Sequence, residues 1–132
     1  MKRFNGNPIL RPISEHAWEA RAVFNAAAVY VGGRVHILYR AVGNDGVSRL
    51  GYASSSDGYH IEERVPSPVF EPANFTEKYG CEDPRLTLRN EQCIMAYTAL
   101  RDSISNAHQI ALTSIATDDF INQRWNWGER WT

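Results

Sequence analysis

Apolar residues in this chain come in short runs broken by polar ones, and few stretches show the three-to-four-residue recurrence of an amphipathic helix. Runs such as Val35-His36-Ile37-Leu38-Tyr39 and Cys93-Ile94-Met95-Ala96-Tyr97 are rich in strand-favouring residues and end in turn signals. The pattern predicts an all-β protein with strands over 22–31, 34–41, 48–54, 60–64, 84–89, 92–99 and 108–115, and an eighth over 120–126. Gly32-Gly33 predicts a two-residue hairpin, because both central positions of that turn take positive φ. Asn90-Glu91 occupies the equivalent place later, and Gly43-Asn44-Asp45-Gly46 and Ser54-Ser55-Ser56-Asp57-Gly58 supply longer polar connections.

The second half repeats the first. Asn25 and Asp83 stand 58 positions apart, as do Tyr39 and Tyr97, and the register between them holds without a gap. Leu50-Gly51-Tyr52-Ala53-Ser54 then matches Ile110-Ala111-Leu112-Thr113-Ser114 after a small insertion. Four antiparallel strands in each repeat of this length is the pattern of a β-propeller blade, in which neighbours bury one another's faces. The chain is therefore expected to be a partial propeller: a leading segment over 1–20, a first blade over about 21–78 and a second over about 79–132. Further blades of a longer protein, or other chains in a homo-oligomer, would complete the ring. A small two-sheet sandwich also fits the strand count, but the ungapped repeat argues against it.

Composition narrows the function. The 132 residues suit one domain or part of one, and a net charge of -1 with 14 scattered basic residues gives nothing to draw nucleic acid or an anionic membrane. No apolar window approaches the ~20 residues of a spanning helix, and the amino terminus lacks an apolar signal region, so a soluble, cytoplasmic protein is expected. Cys81 and Cys93 read as free thiols in a reducing compartment. His16, His36, His60 and His108 lack metal-site spacing, and no phosphate loop, dinucleotide fingerprint or nucleophile elbow is present, so neither a metal nor a cofactor is expected.

The chemistry concentrates in Gly80-Cys81-Glu82-Asp83-Pro84-Arg85. A residue before proline is steered toward extended backbone, so Asp83 is expected to start or precede a strand. Strand alternation would then put Asp83 and Arg85 on one face and Glu82 on the other; a structural ion pair at a strand end is the competing reading. The first strand of each blade lines the central channel, so Asn25 and Asp83 are expected to converge on one axial pocket. Arg40 has the neutral Thr98 as its repeat partner, so the architecture does not itself require a cation there. Its guanidinium suits hydroxyls, carboxylates or phosphate. Arg49 either joins it or is simply solvated, and Arg101, Asp102 and His108 are read as bracketing a solvent-exposed polar loop. Trp18, Trp125, Trp127 and Trp131 are read as packing residues, with stacking on sugars as the alternative.

Together these segments resemble the amino-terminal part of the β-mannoside phosphorylases, glycoside hydrolase family 130. The resemblance covers nearly the whole chain and is carried by Asn7-Pro8-Ile9-Leu10, Val23-Phe24-Asn25-Ala26-Ala27-Ala28, Ile37-Leu38-Tyr39-Arg40, Arg49-Leu50-Gly51-Tyr52-Ala53 and Gly80 to Arg85. It implies a five-bladed propeller and makes Asp83 the catalytic proton donor of an inverting reaction on β-1,4-mannosides. Phosphate, the co-substrate, would attack the anomeric carbon to give mannose 1-phosphate, with the proton passing through the sugar's 3-hydroxyl; such a relay suits a carboxylate held away from the glycosidic oxygen. Asn25, Arg40, Arg49 and Arg85 are implied to bind the oligosaccharide substrate, and Ala26 departs from members that carry a small polar residue there. The family's phosphate-binding cations lie downstream, which implies a chain incomplete as an enzyme. The alternatives are a β-mannosidase relative that uses water, a non-catalytic carbohydrate-binding module, and another five-bladed glycosidase.

Overall fold

Gly32 and Gly33 take φ of 59° and 78° and turn the first hairpin, between β1 (Ala22–Val31) and β2 (Arg34–Val42). The computed structural model describes residues 2–102 and 107–132. β3 (Ser48–Ser55) continues the antiparallel meander and β4 (Glu63–Arg64) closes it. A second meander follows as β5 (Gly80–Arg89), β6 (Gln92–Asp102) and β7 (Ala107–Ala116). The two units belong to one open ladder rather than a two-sheet sandwich, and a single parallel pair, Ser48 with Gly80, links them. A Cβ on Gly80 would lie 2.9 Å from Ser48 Cβ, so glycine is what lets the two backbones come this close.

Three expectations are corrected. The strand over 120–126 is absent: Thr117–Ile121 form a short helix, α1, which has Asp118 and Asp119 in its first turn, where acidic groups suit the helix dipole, and which buries Phe120. The fourth position of the second unit is taken instead by Trp131, which exchanges backbone hydrogen bonds of 2.8 and 2.9 Å with Leu112. The strand over 60–64 shrinks to Glu63–Arg64, because Asp57 Oδ1 accepts the backbone N–H groups of Tyr59 and His60 and keeps that stretch in a turn. β5 starts at Gly80, not at 84, and so contains Asp83.

Alternation along β2 supplies two cores. Leu38 faces one, built with Leu50 and Tyr52 against Cys81, Met95, Tyr97 and Ile115 of the second unit. Tyr39 faces the other, under Leu10 and Trp18 of the leading segment. The first unit is thus held between its neighbour and the amino-terminal segment. Trp125 packs 5.0 Å from Tyr52 and Trp127 5.3 Å from Phe70. The indoles of Trp127 and Trp18 donate to the carbonyls of Val69 and Pro66. These three tryptophans are packing residues.

Each unit also contains a buried lock. Glu19 is fully buried and accepts from the Tyr39 hydroxyl at 3.0 Å and from Arg64, whose Nε also donates to Tyr39 Oη at 3.0 Å. The offset that relates Tyr39 to Tyr97 also relates Glu19 to Glu77. Glu77 is likewise fully buried and accepts from Tyr97 and from Arg130. Burial pushes both phenols up, so they stay protonated and able to donate. A buried carboxylate is tolerated only when so paired. In each case the lock joins the segment before the unit to its second strand and to its closing segment.

Candidate functional site

β1 and β5 are interrupted at the same place. In β1 the ladder passes from Phe24–Arg40 to Ala27–Leu38, and in β5 from Glu82–Thr98 to Arg85–Ala96, so each has an extra residue bulged out. Asn25 and Asp83 occupy these bulges with φ of 46° and 51°. Among non-glycine residues Asn and Asp tolerate that left-handed region best. Pro84 fits beside the bulge because the interrupted ladder asks for no N–H there, and its ring is buried. The expectation of an extended Asp83 is corrected: the bulge overrides the local bias of a residue before proline.

The bulge also cancels the alternation that would have separated Glu82 from Asp83, because both carboxylates reach one guanidinium. Arg40 donates from Nη1 to Asp83 Oδ1 at 3.1 Å and from Nη2 to Glu82 Oε1 at 2.5 Å. Its Nε donates to Ser48 Oγ at 3.0 Å, and Ser48 donates to the same Glu82 oxygen at 2.9 Å. The Asn25 amide donates to Asp83 Oδ1 at 2.9 Å. Phe24 lies beneath the cation, its ring centre 4.7 Å from Arg40 Cζ.

Asp83 is the most open of the three charged members, its side chain 35% exposed against 19% for Arg40 and 15% for Glu82. Burial is the largest single influence on its carboxyl and acts upward. The hydrogen bonds from Asn25 and Arg40 and the charges of Arg40 and Arg85 together outweigh it and hold the group below the usual aspartate range. Oδ1 accepts twice, while Oδ2 has no hydrogen-bond partner among the described residues. As it stands the group is an ionised acceptor, ready to take a proton or a hydroxyl donor.

The structure thus brings together Asn25, Arg40 and Asp83. Arg85 is exposed and shares a shallow depression with Asp83, Thr98 and Ile110, its own Nη1 donating to the Pro84 carbonyl at 2.7 Å. Arg49 is not gathered into the cluster. It pairs with Asp45 at 2.8 Å and Glu71 at 3.5 Å in a separate cleft beside Trp18, since alternation turns it away from the face that Ser48 presents to Glu82. The polar loop expected between Arg101 and His108 falls largely on residues 103–106, outside the described residues. A larger apolar cleft of about 390 Å³ between the leading segment and β1 touches Asn25 and Phe24. It contains none of the charged groups, so the chemistry belongs to the polar depression. Glu82, Ser48 and Phe24 escaped the sequence reading; the matched Asn and Asp were the signal for a repeated bulge that would have drawn Glu82 in.

Repeated antiparallel units that meet at a carboxylate–guanidinium cluster define a β-repeat scaffold with a polar site at the joint between its units. More particularly, residues 1–119 match the family described as beta-1,4-mannooligosaccharide phosphorylase, glycoside hydrolase family 130, and the chain belongs to that family. It is 40% identical over 111 residues to a beta-1,2-mannobiose phosphorylase and 37% identical over 121 residues to a 1,2-beta-oligomannan phosphorylase, both of Thermoanaerobacter sp. (strain X514). These matches take in 74% and 86% of this chain but 36% and 40% of the relatives. A glycosyl hydrolase from Bacteroides ovatus superposes with a TM-score of 0.81 at 31% identity, over 94% of this chain and 38% of that one. The chain therefore spans about two fifths of the length of the proteins it matches.

Proposed function

We propose that this chain forms the amino-terminal part of an inverting β-mannoside phosphorylase, with Asp83 as its proton donor. The observation that carries the reading is the convergence of Asn25 and Arg40 on one oxygen of Asp83, across two repeats. In this reading a mannosyl residue sits over the depression and its hydroxyls take over the donors of Asn25 and Arg40, with Arg85 at the rim. The closing of the site removes water from Asp83. Desolvation, already the strongest influence on the carboxyl, then prevails and lets it carry a proton. A phosphate oxygen attacks the anomeric carbon from the opposite face while the glycosidic C–O bond breaks. The leaving oxygen receives the Asp83 proton, directly or through a sugar hydroxyl, and mannose 1-phosphate of inverted configuration results.

A phosphate dianion needs cations to hold it. Here they are assigned to further units beyond the two described, in a ring proposed to be five-bladed. The sequence reading expected a β-1,4 linkage; the two Thermoanaerobacter relatives, both named for β-1,2 substrates, weigh toward β-1,2, and the proposal takes that linkage. A second reading, hydrolysis with water in place of phosphate, is favoured by the similarity to the Bacteroides ovatus glycosyl hydrolase.

The test combines the chain with the remaining units of a family member and supplies β-1,2-mannobiose with and without phosphate. Mannose 1-phosphate formed only with phosphate, and lost in Asp83→Asn, is the expected result. Free mannose formed at an undiminished rate without phosphate selects the hydrolytic reading. Turnover that persists in Asp83→Asn refutes both.

A further inference from the structure

We infer that Glu82, fixed by Ser48, is a positioning residue that holds Arg40 away from a closer grip on Asp83 and so lets that aspartate bear a proton beside an arginine. The inference deepens the reading of Asp83 as an acid and rests on it for its meaning, though its test does not.

The geometry is a closed ring. Arg40 Nε donates to Ser48 Oγ, Ser48 Oγ donates to Glu82 Oε1, and Glu82 Oε1 accepts from Arg40 Nη2. Two of the guanidinium's three nitrogens are committed to it, and only Nη1 reaches Asp83. The contact to Glu82, at 2.5 Å, is also much shorter than that to Asp83, at 3.1 Å, and it is the more buried of the two pairs. Arginine and carboxylate prefer a two-pronged pairing. Asp83 is denied it, because Nη2 is already taken. The ring is anchored at the Ser48–Gly80 pair where the units join, so its position is set by backbone on both sides.

Among the described residues the groups set around Asp83 come from four strands. β2 contributes the Arg40 cation and β5 contributes Arg85, while the Glu82 carboxylate of β5 is linked to Asp83 through the Arg40 that both share. β1 supplies the neutral Asn25 amide and β6 Thr98, while the Tyr97 hydroxyl is engaged by Glu77. Glu82 is thus the one anion in the group other than Asp83 itself, and its removal leaves two cations facing a single carboxylate. Glu82→Gln keeps the shape and deletes the charge. Arg40 is then free to turn both terminal nitrogens to Asp83, which binds its proton less readily.

The test is a carbon-detected NMR titration of the Asp83 carboxyl in this chain, in wild type, Glu82→Gln and Ser48→Ala, with amide spectra to confirm the fold. Glu82→Gln is expected to move the Asp83 midpoint further down by about one pH unit, roughly a tenfold loss of proton affinity. Ser48→Ala, which loosens the ring but keeps the charge, is expected to move it the same way by less. A midpoint that stays put, or that rises toward free aspartate because the cluster has merely fallen apart, overturns the inference. If Glu82→Gln does not fold, the Ser48→Ala titration decides alone by the same criterion. In an assembled active enzyme the alkaline limb of the kcat profile shifts to lower pH in Glu82→Gln, whereas a purely structural role scales the profile without moving it. The titration reads geometry rather than turnover, so failure of the mannoside reading leaves its outcome standing.

Discussion

Asn25 and Asp83 hold the same bulged position in successive repeats, and one hydrogen bond of 2.9 Å joins them. Repetition here does more than build a scaffold. It sets two identical backbone distortions side by side and fills one with an amide and the other with a carboxylate, so that the first supports the ionised form of the second.

Asn25→Asp tests that relationship. Aspartate tolerates the same left-handed backbone, so the fold is retained while a donor becomes a second carboxylate. The carboxylates at positions 25 and 83 then share a proton, and the upper apparent midpoint of the pair rises above the ordinary aspartate range, in contrast to the lowered value of Asp83 in the wild type. Carboxyl NMR titration reads this directly, and an unchanged midpoint would mean that the amide does not act on the acid.

Gly80→Ala probes the joint between the units. The new Cβ meets Ser48 Cβ at 2.9 Å with little room to move, and a cost of about 1–3 kcal/mol is expected in urea unfolding. Gly46→Ala, where φ is 75° but no atom lies within 4 Å, serves as control. It should cost only about 1 kcal/mol from backbone strain and leave the Asp83 titration untouched, whereas Gly80→Ala should disturb it.

The buried locks predict a graded response. Tyr97→Phe removes one donor from a fully buried Glu77 and should cost about 1–3 kcal/mol. Arg130→Met leaves that carboxylate without its counter-charge and should cost about 3–5 kcal/mol. Equilibrium unfolding in urea checks both, and equal losses would show that charge pairing contributes nothing beyond the hydrogen bond.

Acid should destabilise the fold in two windows. Burial holds the His36 imidazole below its usual value of 6.5, with Tyr52 Oη 2.7 Å from Nδ1 and the Val31 carbonyl near Nε2. A carbonyl can only accept, so Nε2 carries the proton and Tyr52 donates to Nδ1. The unfolded chain therefore takes up a proton as pH falls through about 6.5 while folded His36 does not, and stability declines from there until the lowered folded pKa is passed. The lowered pKa of Asp83 acts in a second window. Its contribution is complete above the unfolded value of about 3.9 and disappears as pH falls through the folded one. Unfolding free energies measured from about pH 8 to about pH 5 should slope downward in the wild type and flatten in His36→Gln.

Much of this architecture is written locally. Period-two patterning and paired glycines are enough to place the hairpin at Gly32-Gly33 and most strands, since those signals depend only on near neighbours. The bulges depend on which residue faces which across the ladder. A rule about the residue before proline therefore pointed Asp83 the wrong way and set Glu82 on the wrong face. The short helix at Thr117–Ile121 follows from a buried Phe120, whose destination no local pattern reveals. Glu19 and Glu77 were visible at the same offset as Tyr39 and Tyr97, but a single charged residue reads as solvated until its partners are known. Arg49 shares a conspicuous segment with Leu50 and Tyr52, yet alternation carries it to another cleft.

The locks bear on ancestry. Glu19, Tyr39 and Arg64 fall within one continuous stretch of chain, and so do Glu77, Tyr97 and Arg130. A gene segment that spans such a stretch encodes a complete lock, its buried carboxylate already answered from within. Tandem duplication can then lengthen the protein without waiting for compensating mutations in the lock, and each copy is free to differ at its bulge, which carries an amide in the first unit and an acid in the second.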